Sequence, residues 1–122
     1  MLAVAHESRD IGGINMVFGG EPEPMFTGEK QFLRWRLTEL KTDEPASDLE
    51  DMQVTVKIDG KEYGPFEARE SWQNAGTYQT MLIFTQAGDG TATLNYKGTE
   101  KVNSFSESFQ FSVRARETIS IP

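Results

Sequence analysis

The amino-acid sequence predicts an all-β domain, built as a seven-stranded antiparallel β-sandwich. Three observations indicate this fold. Apolar residues alternate with polar ones along most of the chain, glycine-containing turns separate the alternating segments, and no window shows a convincing helical period. The alternation gives each strand one buried and one solvated face, as antiparallel sheets allow. At 122 residues, the chain is long enough to bury a substantial core in one domain.

Seven strands are expected, at residues 13–18, 31–38, 52–58, 61–66, 77–85, 91–97 and 105–114. The alternation is clearest in "MQVTVKI", where the apolar side chains share one face. "IDGKEY" then predicts a tight hairpin, because Asp-Gly suits a turn that needs positive φ. "FEARESWQ" is the one short helical candidate, and at most a turn is expected there. Trp35 is expected between the sheets, packed with Val54, Val56, Leu82, Leu94 and Phe111.

The sandwich is expected to span residues 11–115. Residues 1–10 are assigned to an N-terminal tail, which includes the remnant of a signal peptide if one has been removed. "MLAVA" is too short to be a whole one. Residues 116–122 are assigned to a C-terminal tail or linker. No apolar run approaches the length of a membrane span, so no membrane insertion is expected.

The composition excludes several functions. The net charge of -7 argues against nucleic acid, because phosphate neutralisation needs clustered Lys and Arg. The absence of cysteine excludes disulfides, zinc-thiolate sites and thiol nucleophiles. With one histidine, outside the expected strands, no Ser-His-Asp triad can be built from strand residues. The chain is therefore expected not to be an enzyme.

The loop "TDEPASDLED" is rich in carboxylates. Its acidic residues are Asp43, Glu44, Asp48, Glu50 and Asp51. Their spacing differs from that of an EF-hand, which needs a glycine at its sixth position and a terminal glutamate. A solvated acidic loop is the favoured interpretation, and calcium binding is the alternative.

Four stretches together resemble the YtkA-like extracytoplasmic domains. They are "FGGEPEPMFTGEKQFLRWRLTE", "SDLEDMQVTVKIDGKEY", "NAGTYQTMLIFTQAGDGTATLNYKGT" and "FSESFQFSV". The resemblance is a pattern of turns and strands over nearly the whole chain, and "TQAGDG" departs from it by lacking a proline. It implies an immunoglobulin-like sandwich exported across a membrane, hence periplasmic or secreted. Such domains are distantly similar to copper carriers of the copper-resistance type, which use a mature N-terminal histidine in a Cu(II) site.

The favoured function is therefore a non-enzymatic extracytoplasmic binding or interaction domain, and copper(II) handling is an alternative. Ala3 and Ala5 are small residues that suit cleavage after Ala5, which would make His6 the first mature residue. The amine and ring nitrogen of a terminal histidine can chelate one Cu(II) together. Met25 is the one internal methionine in an expected loop, so no Cu(I) site is expected. A solvated tail histidine, with no cofactor, is the other interpretation of His6.

An interaction face is expected on the outside of one sheet, at Phe32, Arg34, Arg36, Met81 and Ile83. These residues alternate with the inward-facing ones on two strands that are neighbours in an immunoglobulin-like order. A contiguous group of exposed apolar residues often marks an interface. The expected partner is another protein, a neighbouring domain or a second copy of the chain. The alternative is that loops or the N-terminal segment cover this face.

A carbohydrate-binding module is the third candidate function. Trp72, with Tyr63, Phe66 and Arg69 nearby in sequence, would form a sugar platform if the aromatic rings were coplanar and solvated. The alternative is that these aromatic residues close the open end of the sandwich.

Overall fold

The computed structural model describes residues 6–119, in which the chain forms ten β-strands and one 3₁₀ helix. The elements are β1 (His6–Ile11), β2 (Ile14–Glu21), β3 (Met25–Phe26), β4 (Lys30–Glu39), β5 (Gln53–Ile58), β6 (Lys61–Glu67), β7 (Arg69–Ser71), β8 (Asn74–Ile83), β9 (Gly88–Tyr96), β10 (Phe105–Arg114) and the 3₁₀ helix Arg116–Ile119. The remaining residues, 1–5 and 120–122, lie outside the described part of the chain. No helix in the described range is long and apolar enough to cross a membrane.

The strands form two five-stranded sheets. The first, which we call the front sheet, has the order β1-β2-β4-β8-β7. The second, the back sheet, has the order β3-β10-β9-β5-β6. Neighbouring strands are antiparallel except β3 and β10, which are parallel. The predicted β-sandwich is confirmed, and so is the pairing of the second and fifth predicted strands, which are β4 and β8.

The predicted strand number was too low. All seven predicted segments are strands, and β1, β3 and β7 are added to them. The stretch considered for a helical turn forms the end of β6, the whole of β7 and the turn that follows. β3 and β7 have two and three residues, too few for an alternating pattern to show. Met25 is correspondingly buried in β3 and does not lie in a loop.

Residues 6–10, assigned above to a tail, are instead most of β1. The turn Gly12-Gly13, with φ of 55° and 84°, returns the chain so that β1 pairs with β2 along its whole length. The Arg9 guanidinium donates to a Glu107 carboxylate oxygen at 3.0 Å and lies 4.1 Å from the centre of the Phe109 ring. This contact joins the front sheet to the back sheet. Because β1 is a charged edge strand, the apolar alternation that predicts strands is missing from it.

The core lies between the two sheets and is centred on aromatic residues. The Trp35 ring is fully buried, with its centroid 4.9 Å from that of Phe18 and 6.3 Å from that of Phe109. Of the residues predicted to pack around Trp35, four are buried and Leu82 is partly buried against the core. The predicted hairpin at Asp59-Gly60 is also confirmed, since both residues have positive φ.

Candidate functional site: the outer face of the front sheet

Strand register places the predicted interaction residues on one outer face. Phe32 on β4 lies directly opposite Met81 on β8, and Lys30 lies opposite Ile83. Met81 is 51% exposed, Ile83 is 54% exposed and Phe32 is half-buried. We call Phe32, Met81 and Ile83 the apolar strip. The expected contiguity of these side chains is therefore present in the fold.

The two arginines of β4 continue the same face beyond the apolar strip. Arg34 donates from Nε to the Gln79 amide oxygen at 2.9 Å, and its guanidinium lies 5.8 Å from the centre of the Phe32 ring. Its Nη1 is 3.9 Å from a Glu21 carboxylate oxygen, which is beyond hydrogen-bond distance. The Arg36 side chain is exposed and has neither a hydrogen bond nor an ion pair within the described residues. One guanidinium is thus positioned by its neighbours, and the other is unengaged.

A groove of about 630 Å³ opens beside these arginines. Its floor is formed by Val17, Gly19, Arg34 and Arg36, and its wall by Pro45 with residues 73–75. We call this the basic groove. Sequence reasoning missed it, because the wall is made of segments that are far apart in sequence and meet only in the fold.

The wall is raised by a bend in β8 at Gly76. Gly76 has a φ of 80°, and a Cβ there would lie 2.8 Å from the Leu37 carbonyl oxygen. Only glycine fits this close approach without strain. The Glu70 carboxylate accepts hydrogen bonds from the backbone N–H of Gly76 at 2.7 Å and of Asp48 at 2.9 Å. The hairpin β7–β8 and the acidic loop are therefore joined to each other.

Tyr78 fastens the acidic loop to the front sheet from below. Its hydroxyl donates to the Ala46 carbonyl oxygen at 2.7 Å and accepts from the backbone N–H of Leu49 at 3.0 Å. Burial raises the pKa of the Tyr78 hydroxyl above its ordinary value. The loop that sequence reasoning took as solvated is thus anchored near its middle, where Ala46 and Leu49 are buried.

The aromatic residues considered for a sugar platform lie in different sheets. Trp72 is 91% exposed in the turn between β7 and β8 of the front sheet. Tyr63 is 47% exposed on β6 of the back sheet, and Phe66 packs against the core. Neither the Trp72 ring nor the Tyr63 ring contacts another aromatic ring in the described part of the chain. The proposed platform therefore does not form.

The described side chains that could bind a metal ion do not converge on one site. Among residues whose side chains the structure describes, no group of three or more His, Asp or Glu side chains could hold a metal ion. Met16, Met25 and Met52 are buried in the core. The backbone of His6 pairs with that of Gly19 in the front sheet, and its side chain lies outside the description. The described donor set therefore does not fit a copper site by itself.

Comparisons with known proteins bear on the fold. No protein-family model matches the chain. No curated protein matches it in sequence. Among solved structures, the chain is similar to a copper-bound single-residue variant of FetP from uropathogenic Escherichia coli, with a TM-score of 0.60 at 12% identity. The match covers 88% of this chain and 94% of that chain. At this identity the likeness establishes a shared fold.

Proposed function

We propose that this chain is a non-enzymatic binding domain and that its apolar strip docks a second copy of the chain. The observation that supports this most strongly is the pairing of Phe32 with Met81, next to an exposed Ile83, on a sheet face that no described element covers. Burying such a group against another protein removes apolar surface from water at about 25 cal/mol per Å². Isolated exposed apolar residues need no explanation, but an adjoining set indicates an interface.

The charges around the apolar strip favour a second copy as its occupant. Glu21 on β2 lies opposite Phe32, and Lys30 lies two residues before Phe32 on β4. A two-fold dimer brings the same surface of both copies together, so a face with both signs of charge can match acid with base. Ile83 also lines an apolar crevice of about 180 Å³ between the sheets, where one side chain of the partner can insert.

The finer class and location of the domain belong to the same proposal. The order β2-β4-β8-β7, facing β10-β9-β5, corresponds to the two sheets of an immunoglobulin constant-type domain. This order supports an immunoglobulin-like sandwich, with β1, β3 and β6 as added edge strands. The YtkA-like resemblance supports an extracytoplasmic location, periplasmic or secreted. Fractionation of cells that express the complete gene tests the location, and recovery with the cytoplasm would contradict it.

Sedimentation velocity over a concentration series tests the docking. The wild-type protein is expected to show a monomer–dimer equilibrium, and Phe32→Glu is expected to remain monomeric, because a buried unpaired carboxylate opposes docking. Met81→Glu, at an exposed side chain, repeats the test with less risk to folding. Thr93→Glu, on the outer face of the back sheet, is the matched control and should dimerise like wild type. A wild-type protein that stays monomeric throughout would overturn the proposal.

Copper(II) handling is the second candidate, favoured by the similarity to a copper-bound FetP variant and by the histidine near the start of the chain. Because the described residues alone do not fit the ion, this candidate depends on His6 as a terminal residue. Calorimetry should show one Cu(II) bound by protein that begins at His6, and none by its His6→Ala variant. Binding should weaken as acid protonates the amine and ring. Equal titrations of the two proteins would contradict this candidate.

A further inference from the structure

The basic groove differs in charge from the protein around it. The chain has 19 acidic and 12 basic residues, yet the groove is lined by two arginines and a single carboxylate, that of Glu21. Arg34 and Arg36 are two residues apart on β4, so they project from the same face about 7 Å apart. The Nε of Arg34 donates a hydrogen bond to the Gln79 amide oxygen. This bond does not use the terminal N–H groups of the Arg34 guanidinium.

A guanidinium group whose terminal N–H groups have no hydrogen-bond partner can bind a carboxylate. An arginine presents a planar fork of N–H donors that matches the two oxygens of a carboxylate. Arg36 has no such partner among the described residues, and Glu21 is too far from Arg34 to satisfy it. The groove therefore offers an anion site in which Arg34 has one carboxylate at ion-pair distance, that of Glu21, and Arg36 has none among the described residues.

The wall of the groove adds groups suited to hydroxyls and to a ring. Gln73 and Asn74 line it, and their side-chain amides can both donate and accept hydrogen bonds. Trp72 precedes them at the tip of the same hairpin and is 91% exposed. Trp72 precedes the groove-lining Gln73 in sequence, and an indole left in water presents an apolar face that can stack on another ring. The volume of about 630 Å³ falls in the usual range for small-ligand sites.

We infer that the basic groove binds an acidic sugar, with Arg34 and Arg36 holding the carboxylate of a hexuronate. The amides of Gln73 and Asn74 hold sugar hydroxyls, and Trp72 stacks on the apolar face of an adjoining ring. The ligand class is thus a uronic-acid-containing oligosaccharide. A simple carboxylate would use the arginines alone and leave Trp72 and the amides without a role. A neutral sugar would leave the two charges unmatched.

Calorimetric titration with trigalacturonate tests this inference, with maltotriose as the neutral sugar and acetate as the simple carboxylate. The wild-type protein should bind trigalacturonate and neither of the others measurably. Arg36→Gln should weaken binding about tenfold or more, because a hydrogen bond to a charged group contributes more binding free energy than one between neutral groups. Trp72→Ala should weaken it about fivefold. Both side chains are exposed, so the variants should fold as wild type does.

Two further variants separate this site from others. Lys57→Gln removes an exposed positive charge from the outer face of the back sheet and should leave trigalacturonate affinity unchanged. Ile83→Glu, opposite Lys30 and at the end of the apolar strip away from Arg34, should abolish dimerisation while retaining sugar binding, so the two proposals can fail independently. Absence of trigalacturonate binding would overturn the inference. Equal affinity for acetate, together with no effect of Trp72→Ala, would also overturn the inference. The groove would then bind carboxylates with no contribution from the sugar ring.

Discussion

The outer faces of the two sheets differ in the side chains that they present to solvent. On the back sheet, short polar side chains on neighbouring strands hydrogen-bond to each other. The pairs are Thr93 with Ser108 at 2.8 Å, Ser106 with Asn95 at 2.6 Å, and Ser112 with Asp89 at 2.6 Å. On the front sheet, Met81 and Ile83 are half exposed and Arg36 has no described partner. The short polar side chains of the back face bond to each other, whereas the apolar side chains of the front face are left in water.

This difference supports the proposal that the front face is the one that binds a partner. Cross-strand polar pairs stabilise a sheet modestly and leave it with a surface that water covers well. Exposed methionine and isoleucine side chains leave apolar surface in water, and the exposed guanidinium of Arg36 bonds to no other described residue. Among the large exposed apolar residues of the described chain, the one on a back-sheet strand is Tyr63, which lies opposite the buried Val56 and therefore on the inner face. The proposed docking surface on the front sheet rests on this difference.

The largest expected effect concerns the core that both faces share. Trp35 contacts Phe18 on the front sheet and Phe109 on the back sheet, so Trp35→Ala leaves a cavity between them. The free energy of unfolding should fall by about 3–5 kcal/mol, as for other large core truncations. Urea unfolding measures it. A loss below about 1 kcal/mol would mean that Trp35 does not join the two sheets in one core.

The next effect concerns the wall that only the front face has. Tyr78→Phe removes the hydroxyl that joins the acidic loop to β8 and leaves the Ala46 carbonyl and the Leu49 N–H without that partner. The expected loss is about 1–3 kcal/mol in urea unfolding at neutral pH. A change near zero would show that the loop, and the groove wall it supports, is held by other contacts.

Tyr78 also makes the free energy of unfolding depend on pH in the alkaline range. Because burial raises the pKa of Tyr78, the folded protein keeps this proton at a pH where the unfolded chain loses it. The unfolded state then binds fewer protons than the folded state, so stability falls as pH rises above about 10. Tyr78→Phe should lose stability less steeply over that range. Parallel slopes for the two proteins would contradict the assigned pKa shift.

The smallest effect is expected on the back face. Ser108→Ala breaks the hydrogen bond to Thr93 at a solvated position, where the Thr93 hydroxyl can bond to water instead. The free energy of unfolding should change by about 0.5 kcal/mol or less, and dimerisation should not change. A loss of dimerisation in this variant would reverse the assignment of the two faces.

Sequence patterns predicted the parts of the fold that repeat every second residue. The alternation in β5 predicted which of its side chains are buried. The alternation in β4 and β8 predicted that Phe32, Met81 and Ile83 face outward. The same pattern could not predict β1, because a solvated edge strand needs no apolar alternation. The turn Gly12-Gly13 was the one local signal for that hairpin.

The basic groove lay beyond sequence reasoning for a different reason. Its wall depends on the approach of Gly76 to Pro45 and on the Glu70 carboxylate, which accepts hydrogen bonds from two segments. Such long-range contacts leave no periodic trace. Trp72 was singled out from the sequence, but its sequence neighbours Tyr63 and Phe66 belong to the other sheet. The fold instead places the groove wall directly after Trp72.

A dilution series followed by backbone amide NMR tests the choice of face most directly. On concentration, the amide signals of Phe32, Met81 and Ile83 should shift together along one binding curve. Those of Thr91, Thr93 and Ser108, on the outer face of the back sheet, should stay in place. Shifts confined to the second group, or no concentration dependence at all, would contradict the assignment of the front sheet as the docking face.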